Sequence, residues 1–193
     1  MLNLKLPTDP RWVNLAEKKI EDILTDHAYC EQKAASSCIS LIILYPDLQD
    51  IVEKISPIVT EEWSHFNMVV SEIYKRGFTL GFPRKDVYVN KLFSFQNKNG
   101  DRFDMLVEKL LTNALIEARS CERFRLLSLE LNDKYLRQFY HNFMVSEASH
   151  YRLFMDLAKV YRPSSYVNKR WQEYLMHEKE ILNSIKLRGD RMH

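Results

Sequence analysis

The sequence predicts an all-α protein, a bundle of four long helices with further helices before and after it. Three observations lead there. Apolar residues recur every three or four positions almost throughout the 193 residues, the period of helices with one inward face. Only four glycines and six prolines occur, too few for the turns of a sandwich or barrel, and most fall between the periodic runs. Charged residues make up 28% and hydrophobic ones 46%, the balance of an ordinary globular chain, so one domain over residues 1–193 is expected.

The elements follow in order. Thr8-Asp9-Pro10 pairs an N-cap candidate with proline at the first helical position, opening a leading helix over about 10–24. That helix runs into, or kinks against, the first long one at about 25–45, which Pro46 stops. A second long helix covers about 48–76 and ends at Gly77, with Pro57 implying a late start or a kink. Residues 77–102 hold three of the four glycines, Pro83 and no clean period, as expected of a long crossover or functional loop. The third long helix spans about 103–130, and Asn132-Asp133 opens the fourth, which runs to about 161. After Pro163-Ser164-Ser165 a last, charged helix reaches about 187, and Lys186 to His193 is expected to be frayed. Two long antiparallel hairpins joined by one long crossover, with extra N- and C-terminal helices, describe the ferritin-like version of the four-helix bundle.

Several function classes drop out. No Gly-rich phosphate loop or dinucleotide fingerprint can be placed. Cys30, Cys38 and Cys121 form no Cys-x-x-Cys and no even set, against a disulfide scaffold, a zinc ribbon or a rubredoxin module. No apolar run approaches the length of a membrane span and no secretion signal opens the chain, so a cytoplasmic protein is expected.

The inward stripes are not wholly apolar. The first reads Ile20, Leu24, His27, Glu31, Ala34, Cys38, Leu41, Tyr45, and the second Ile55, Ile58, Glu62, His65, Val69, Ile73. The third reads Leu106, Leu110, Asn113, Glu117, Cys121, Phe124, Leu127, and the fourth Leu136, Phe139, Phe143, Glu147, His150, Phe154, Leu157. Each long helix thus places one glutamate in the middle of its buried face. An unpaired buried carboxylate costs several kcal/mol or takes up a proton, so four at one level demand compensating positive charge. Two divalent ions balance four glutamates, and two neutral imidazoles complete the coordination.

Spacing agrees. Glu62-Trp63-Ser64-His65 and Glu147-Ala148-Ser149-His150 are both Glu-x-x-His, two ligands one turn apart on one face. Glu31 precedes the first motif by 31 residues and Glu117 the second by 30, the return distance of a hairpin. Glu31 to Glu117 is 86 residues, while Glu62 to Glu147 and His65 to His150 are 85, an internal repeat of ligands. The expected metal ligands are therefore Glu31, Glu62, His65, Glu117, Glu147 and His150, which would also be the catalytic residues. Oxygen ligands with a minority of imidazole suit iron, and also manganese, better than zinc. His27, one turn before Glu31, and Asp156 are candidates to orient ligands by hydrogen bonds.

Glu31-Gln-Lys-Ala-Ala-Ser36, Glu62-x-x-His65, Ala114-Leu-Ile-Glu117-Ala-Arg-Ser-Cys-Glu-Arg-Phe124 and Glu147-Ala-Ser-His150 together resemble the bacterial tRNA-2-methylthio-N6-isopentenyladenosine hydroxylases of the MiaE type. The likeness covers nearly the whole chain, and Glu117-Ala-Arg-Ser-Cys-Glu-Arg123 is its most specific piece. The resemblance implies a non-haem di-iron monooxygenase. It would use dioxygen and electrons from an external donor to hydroxylate the isopentenyl group of the modified adenosine at position 37, in the tRNA anticodon loop. It also implies two iron ions on the six ligands already named.

A tRNA substrate suits the crossover. Residues 77–102 carry Arg84, Lys85, Lys91, Lys98 and Arg102 against Asp86 and Asp101, interleaved with Phe78, Phe82, Tyr88, Phe93 and Phe95. Arg84, Lys85, Tyr88, Lys91, and the ligand-flanking Arg119 and Arg123, are the candidate substrate-binding residues. Arg119 and Arg123 suit a structural role on carboxylates such as Glu122 better than one at the entry for an anionic substrate. The rival readings are a peroxidase or ferroxidase of the rubrerythrin and ferritin kind, and a non-enzymatic iron-binding bundle. The missing Cys-x-x-Cys and the Arg-flanked motif count against the first.

Overall fold

The computed structural model describes residues 2–193. It contains α1 (Arg11–Glu17), α2 (Ile20–Leu44), α3 (Gln49–Lys75), α4 (Val87–Phe95), α5 (Arg102–Glu130), α6 (Lys134–Tyr161) and α7 (Ser164–Ser184), with no strand among the described residues. The chain forms two compact units. One comprises residues 14–85 and 188–192, and the other the segment up to Val13, residues 86–187 and His193.

The first unit is built on the α2–α3 hairpin. Ile23, Leu24, Ala28, Ala35, Cys38 and Leu41 form the buried face of α2, and Ile51, Ile55, Ile58, Val69 and Ile73 that of α3. Each fully buried Ile or Leu contributes roughly 1.5–3 kcal/mol. Pro46 ends α2 after the Tyr45 amide bonds the Leu41 carbonyl. Pro57 neither delays nor breaks α3: it lies on the exposed face, where water can serve the carbonyl that loses its amide partner. Gly77 closes α3 at φ 74°, its amide bonded to the Tyr74 carbonyl while the Phe78 amide reaches Ile73, the double bond of a glycine C-cap. The break before α2 falls at Lys18–Lys19, earlier than the sequence suggests, and no glycine or proline marks it.

In the second unit, α5 and α6 form the corresponding hairpin and α4 and α7 pack on it. Asp101 caps α5 in a reciprocal box with Asp104, and Asp133 caps α6 through the Tyr135 and Leu136 amides. Residues 77–102 are not irregular throughout, because α4 forms inside them. Asp86 caps it by accepting from the Val89 amide, and Tyr88 and Leu92, one turn apart, are its buried side chains. Two buried positions are too short a pattern to stand out as a period.

The last residues are docked rather than frayed. A Cβ at Gly189 would lie 2.2 Å from the Leu15 carbonyl oxygen, so only glycine permits that approach. Asp26 accepts from Arg191 Nη1 at 2.7 Å and from the Met192 amide at 2.8 Å. These partners stand more than 160 residues away along the chain, beyond the reach of local pattern.

Candidate metal centre

On α2, helical spacing carries His27, Glu31, Ala35 and Cys38 to the buried face, and on α3 it does the same for Ile58, Glu62 and Val69, with His65 at its margin. Glu31, Glu62 and His65 each offer a ligand atom, all within 4.8 Å of one another. His65 Nδ1 lies 3.3 Å from Glu31 Oε2 and 3.9 Å from Glu62 Oε2. Both carboxylates are buried, whereas the His65 side chain keeps 12% of its surface exposed. His27 lies behind Glu31 with Nε2 2.8 Å from Oε1, as the one-turn spacing predicts.

On the α5–α6 hairpin, Glu117, Glu147 and His150 likewise bring one ligand atom each within 4.8 Å of one another, and all three are buried. His150 Nδ1 lies 3.8 Å from Glu147 Oε2, an oxygen that accepts no hydrogen bond although it is shut off from solvent. A buried carboxylate oxygen without a donor is costly and is what a bound cation would satisfy. Two carboxylates and one imidazole per hairpin, without sulfur, form a donor set that fits iron. Cys121, one turn beyond Glu117, does not join it. Burial, then the charges of Glu147 and Glu122, push its thiol up to about 11, and Sγ donates to the Met144 carbonyl at 3.4 Å.

Behind α5 lies an ionic network of which sequence reasoning anticipated the Arg119–Glu122 pair and missed the rest. The fully buried Arg119 donates from Nε to Glu178 Oε1 at 2.7 Å, from Nη1 to Thr8 Oγ1 and Glu122, and from Nη2 to the Leu6 carbonyl. Burial opposes the charge on Arg119, but Glu178 outweighs it and holds the guanidinium above its ordinary pKa. Tyr88 donates to Glu178 at 3.1 Å, and burial together with the Glu178 charge raises its phenol well above the usual value. Arg123 lies over the Trp12 ring at 4.8 Å, its pKa lowered to about 10 by burial and by Arg119. The signal for Glu178 was present: it shares the buried stripe of α7 with Val167, Trp171, Tyr174, Leu175 and Ile181. Glu108 is a further case, held by Arg170 Nε at 2.7 Å and the Tyr174 hydroxyl at 2.7 Å. A glutamate on an apolar stripe therefore marks either a metal ligand or a buried ion pair.

The expected substrate-binding residues separate. Tyr88, Arg119 and Arg123 are buried and engaged inside the second unit. Arg84 is spoken for by Asp22 and Asp190, Lys91 donates to Ser184 Oγ at 2.7 Å, and Lys85 is exposed. Asp156, expected to orient a ligand, is exposed and stands 3.8 Å from Lys159. No described helix is long and apolar enough to cross a membrane.

Known proteins share this pattern. A model of the family described as tRNA-(MS[2]IO[6]A)-hydroxylase (MiaE) matches residues 2–193. The tRNA 2-(methylsulfanyl)-N(6)-isopentenyladenosine(37) hydroxylase of Pseudomonas putida is 34% identical over 181 residues, 94% of this chain and 87% of that protein. The enzyme of the same name from Salmonella typhimurium is 25% identical over 205 aligned positions, 81% of this chain and 75% of that one. A solved structure described as Protein 43 with aldehyde deformylating oxygenase activity, from Synechococcus, matches with a TM-score of 0.93 and 32% identity, covering 98% of this chain and 94% of that chain. Its all-helical fold is ferritin-like, and the present chain shares it.

Proposed function

The chain belongs to the tRNA-(MS[2]IO[6]A)-hydroxylase (MiaE) family, and from that premise we propose that it is a di-iron, dioxygen-dependent tRNA hydroxylase. Its substrate in this reading is the isopentenyl group of 2-methylthio-N6-isopentenyladenosine at position 37, the nucleoside in the names of its relatives. The observation that carries the proposal is the Glu-Glu-His triad, its carboxylates buried, that occurs on each helical hairpin of a chain matched by the family over residues 2–193.

Glu31, Glu62 and His65, with Glu117, Glu147 and His150, would hold two iron ions, and residues 1–193 would act as one di-iron domain. Bound iron supplies two-electron redox chemistry with dioxygen, enough to place an oxygen atom in an allylic C–H bond when a donor provides two external electrons. The four carboxylates balance the charge of two divalent ions, and the two imidazoles add donors without altering it. His27 keeps Glu31 in one orientation through its 2.8 Å contact. Burial of the carboxylates keeps water from their oxygens. The partially exposed His65 marks the side of the first triad nearest to solvent. Lys85, which is exposed, is the candidate cation of 77–102 free to meet tRNA phosphates, while Lys91 bonds Ser184, Tyr88, Arg119 and Arg123 serve the protein's interior and Arg84 its connection. Cytoplasmic tRNA is the expected partner, together with an external electron donor.

The test is nucleoside mass spectrometry of tRNA carrying 2-methylthio-N6-isopentenyladenosine, after incubation with iron-loaded protein, reductant and heavy-isotope dioxygen. The modified nucleoside should gain one heavy oxygen atom. A protein that leaves it unchanged but consumes an aldehyde, as the aldehyde deformylating oxygenase activity of its Synechococcus neighbour would suggest, overturns the tRNA assignment.

A further inference from the structure

Phe82 is the most exposed large apolar side chain described, with 92% of its surface in water. A ring left there forgoes the whole gain of burial, and a free loop would fold it inward. This loop is not free. On one side, the Gly81 carbonyl accepts from the Tyr29 hydroxyl at 2.9 Å and the Gly81 amide donates to Thr25 Oγ1 at 3.4 Å. On the other, Arg84 donates to the Asp22 carboxylate and carbonyl at 3.0 and 2.8 Å and to those of Asp190 at 3.2 and 2.8 Å. Asp190 is itself held by Arg188 and by the docking of Gly189 against Leu15. Only Phe82 and Pro83 stand between the anchors, and proline restricts the residue before it to extended conformations.

Position and charge narrow the occupant. Thr25 and Tyr29 precede the ligand Glu31 by six and two residues, which places Gly81 about 3–9 Å from the ligand level along the axis of α2. No acidic residue occurs from Ile73 to Lys85, which contains four cations. Arg76 pairs with Glu72 at 2.5 Å and Arg84 with Asp22 and Asp190, whereas Lys75 and Lys85 remain exposed. An exposed ring on a stretch of chain that carries exposed lysines fits single-stranded nucleic acid, whose bases stack on aromatics while cations follow the phosphates. RNA loops present such unstacked bases.

We infer that Phe82 stacks on an unpaired base of the tRNA anticodon loop, with Lys75 and Lys85 on the adjacent phosphates. The inference rests on the tRNA reading above and deepens it. Anchoring at Gly81 and Arg84 orders the backbone that carries the ring before RNA arrives, so less freedom is lost on binding.

The experiment is titration of the iron-loaded full chain with a fluorescent anticodon stem–loop carrying 2-methylthio-N6-isopentenyladenosine, at several salt concentrations. Phe82→Ala should weaken binding about 5- to 100-fold with an unchanged salt slope, Phe82→Leu should behave like the alanine variant, and Phe82→Trp should bind like the wild type. Lys85→Ala should lower the salt slope by about 0.7 for each phosphate it ceases to neutralise. Equal circular dichroism and iron content will show that the variants fold. Wild-type affinity in Phe82→Ala or in Phe82→Leu, with RNA bound normally by the unaltered protein, overturns the stacking role alone. Failure of the unaltered protein to bind the stem–loop overturns the tRNA reading as well.

Discussion

The α2–α3 and α5–α6 hairpins carry the same proposed ligand residues in the same order, and their surroundings differ at most equivalent positions. Displaced by 86 residues, His27 corresponds to Asn113 and the exposed Lys33 to the buried Arg119. Displaced by 85, Trp63 and Phe66 correspond to Ala148 and Tyr151. On α3 the Trp63 and Phe66 rings stack at 4.9 Å, with Trp63 48% exposed. On α6 that face is covered, because Tyr151 meets Trp171 of α7 at 5.8 Å. The proposed ligands repeat, whereas the flanking positions differ between a half with an exposed aromatic pair and a half braced by α4 and α7. The first of these halves carries the partly exposed His65 and the connection that displays Phe82.

The largest expected effect would erase the distinction. Glu62→Ala and Glu147→Ala should each abolish tRNA hydroxylation and reduce bound iron, measured by metal analysis and nucleoside mass spectrometry. The apoproteins should still fold, because protonation relieves the remaining carboxylates. Full iron loading and turnover in Glu62→Ala would leave the first half without a metal role. Next comes the brace. Arg119→Met leaves Glu178 buried without its cation and should destabilise the fold by about 3–5 kcal/mol in urea unfolding, while Lys33→Met should stay within about 0.5 kcal/mol. Similar losses in both variants would mean that Arg119 braces nothing.

A smaller change concerns His27, whose counterpart in α5 is Asn113. His27→Asn, which gives α2 the residue found in α5, should weaken iron binding about 10- to 100-fold in competition with a chelator. Unchanged affinity at unchanged helicity would reduce His27 to core packing. The smallest effect is a pH dependence of the docked tail. Hydrogen bonding to Arg188, against the opposing effect of burial, lowers the Asp190 carboxyl from 3.8 to about 2. A depressed carboxyl contributes its stabilisation fully above 3.8 and loses it as pH falls toward about 2. Hydrogen exchange at the Met192 amide should accelerate across that window, and Asp190→Asn should show the faster rate already at pH 7. A variant that matched the wild type at both ends would detach Asp190 from tail docking.

Much of this was readable without coordinates. Glu31, Glu62, Glu117 and Glu147 stand out because helical period assigns a face to every residue, and a carboxylate on the apolar face needs a partner. Pro46, Gly77 and Asp133 mark helix ends through local backbone rules, which act over four or five residues. Helix α4 escaped because two buried positions cannot declare a period, and the tail because its partners are remote.

By itself, then, the sequence determined which residues turn inward, where the long helices stop, and that two Glu-x-x-His motifs repeat with their preceding glutamates. Only the tertiary structure decided what each inward carboxylate meets. Glu31 faces imidazoles at 2.8 and 3.3 Å, Glu178 the Arg119 guanidinium at 2.7 Å, and Glu108 Arg170 and the Tyr174 hydroxyl at 2.7 Å each. Periodicity specifies the direction of a side chain from its own helix axis, whereas the partner comes from another segment, brought within reach only when the chain packs.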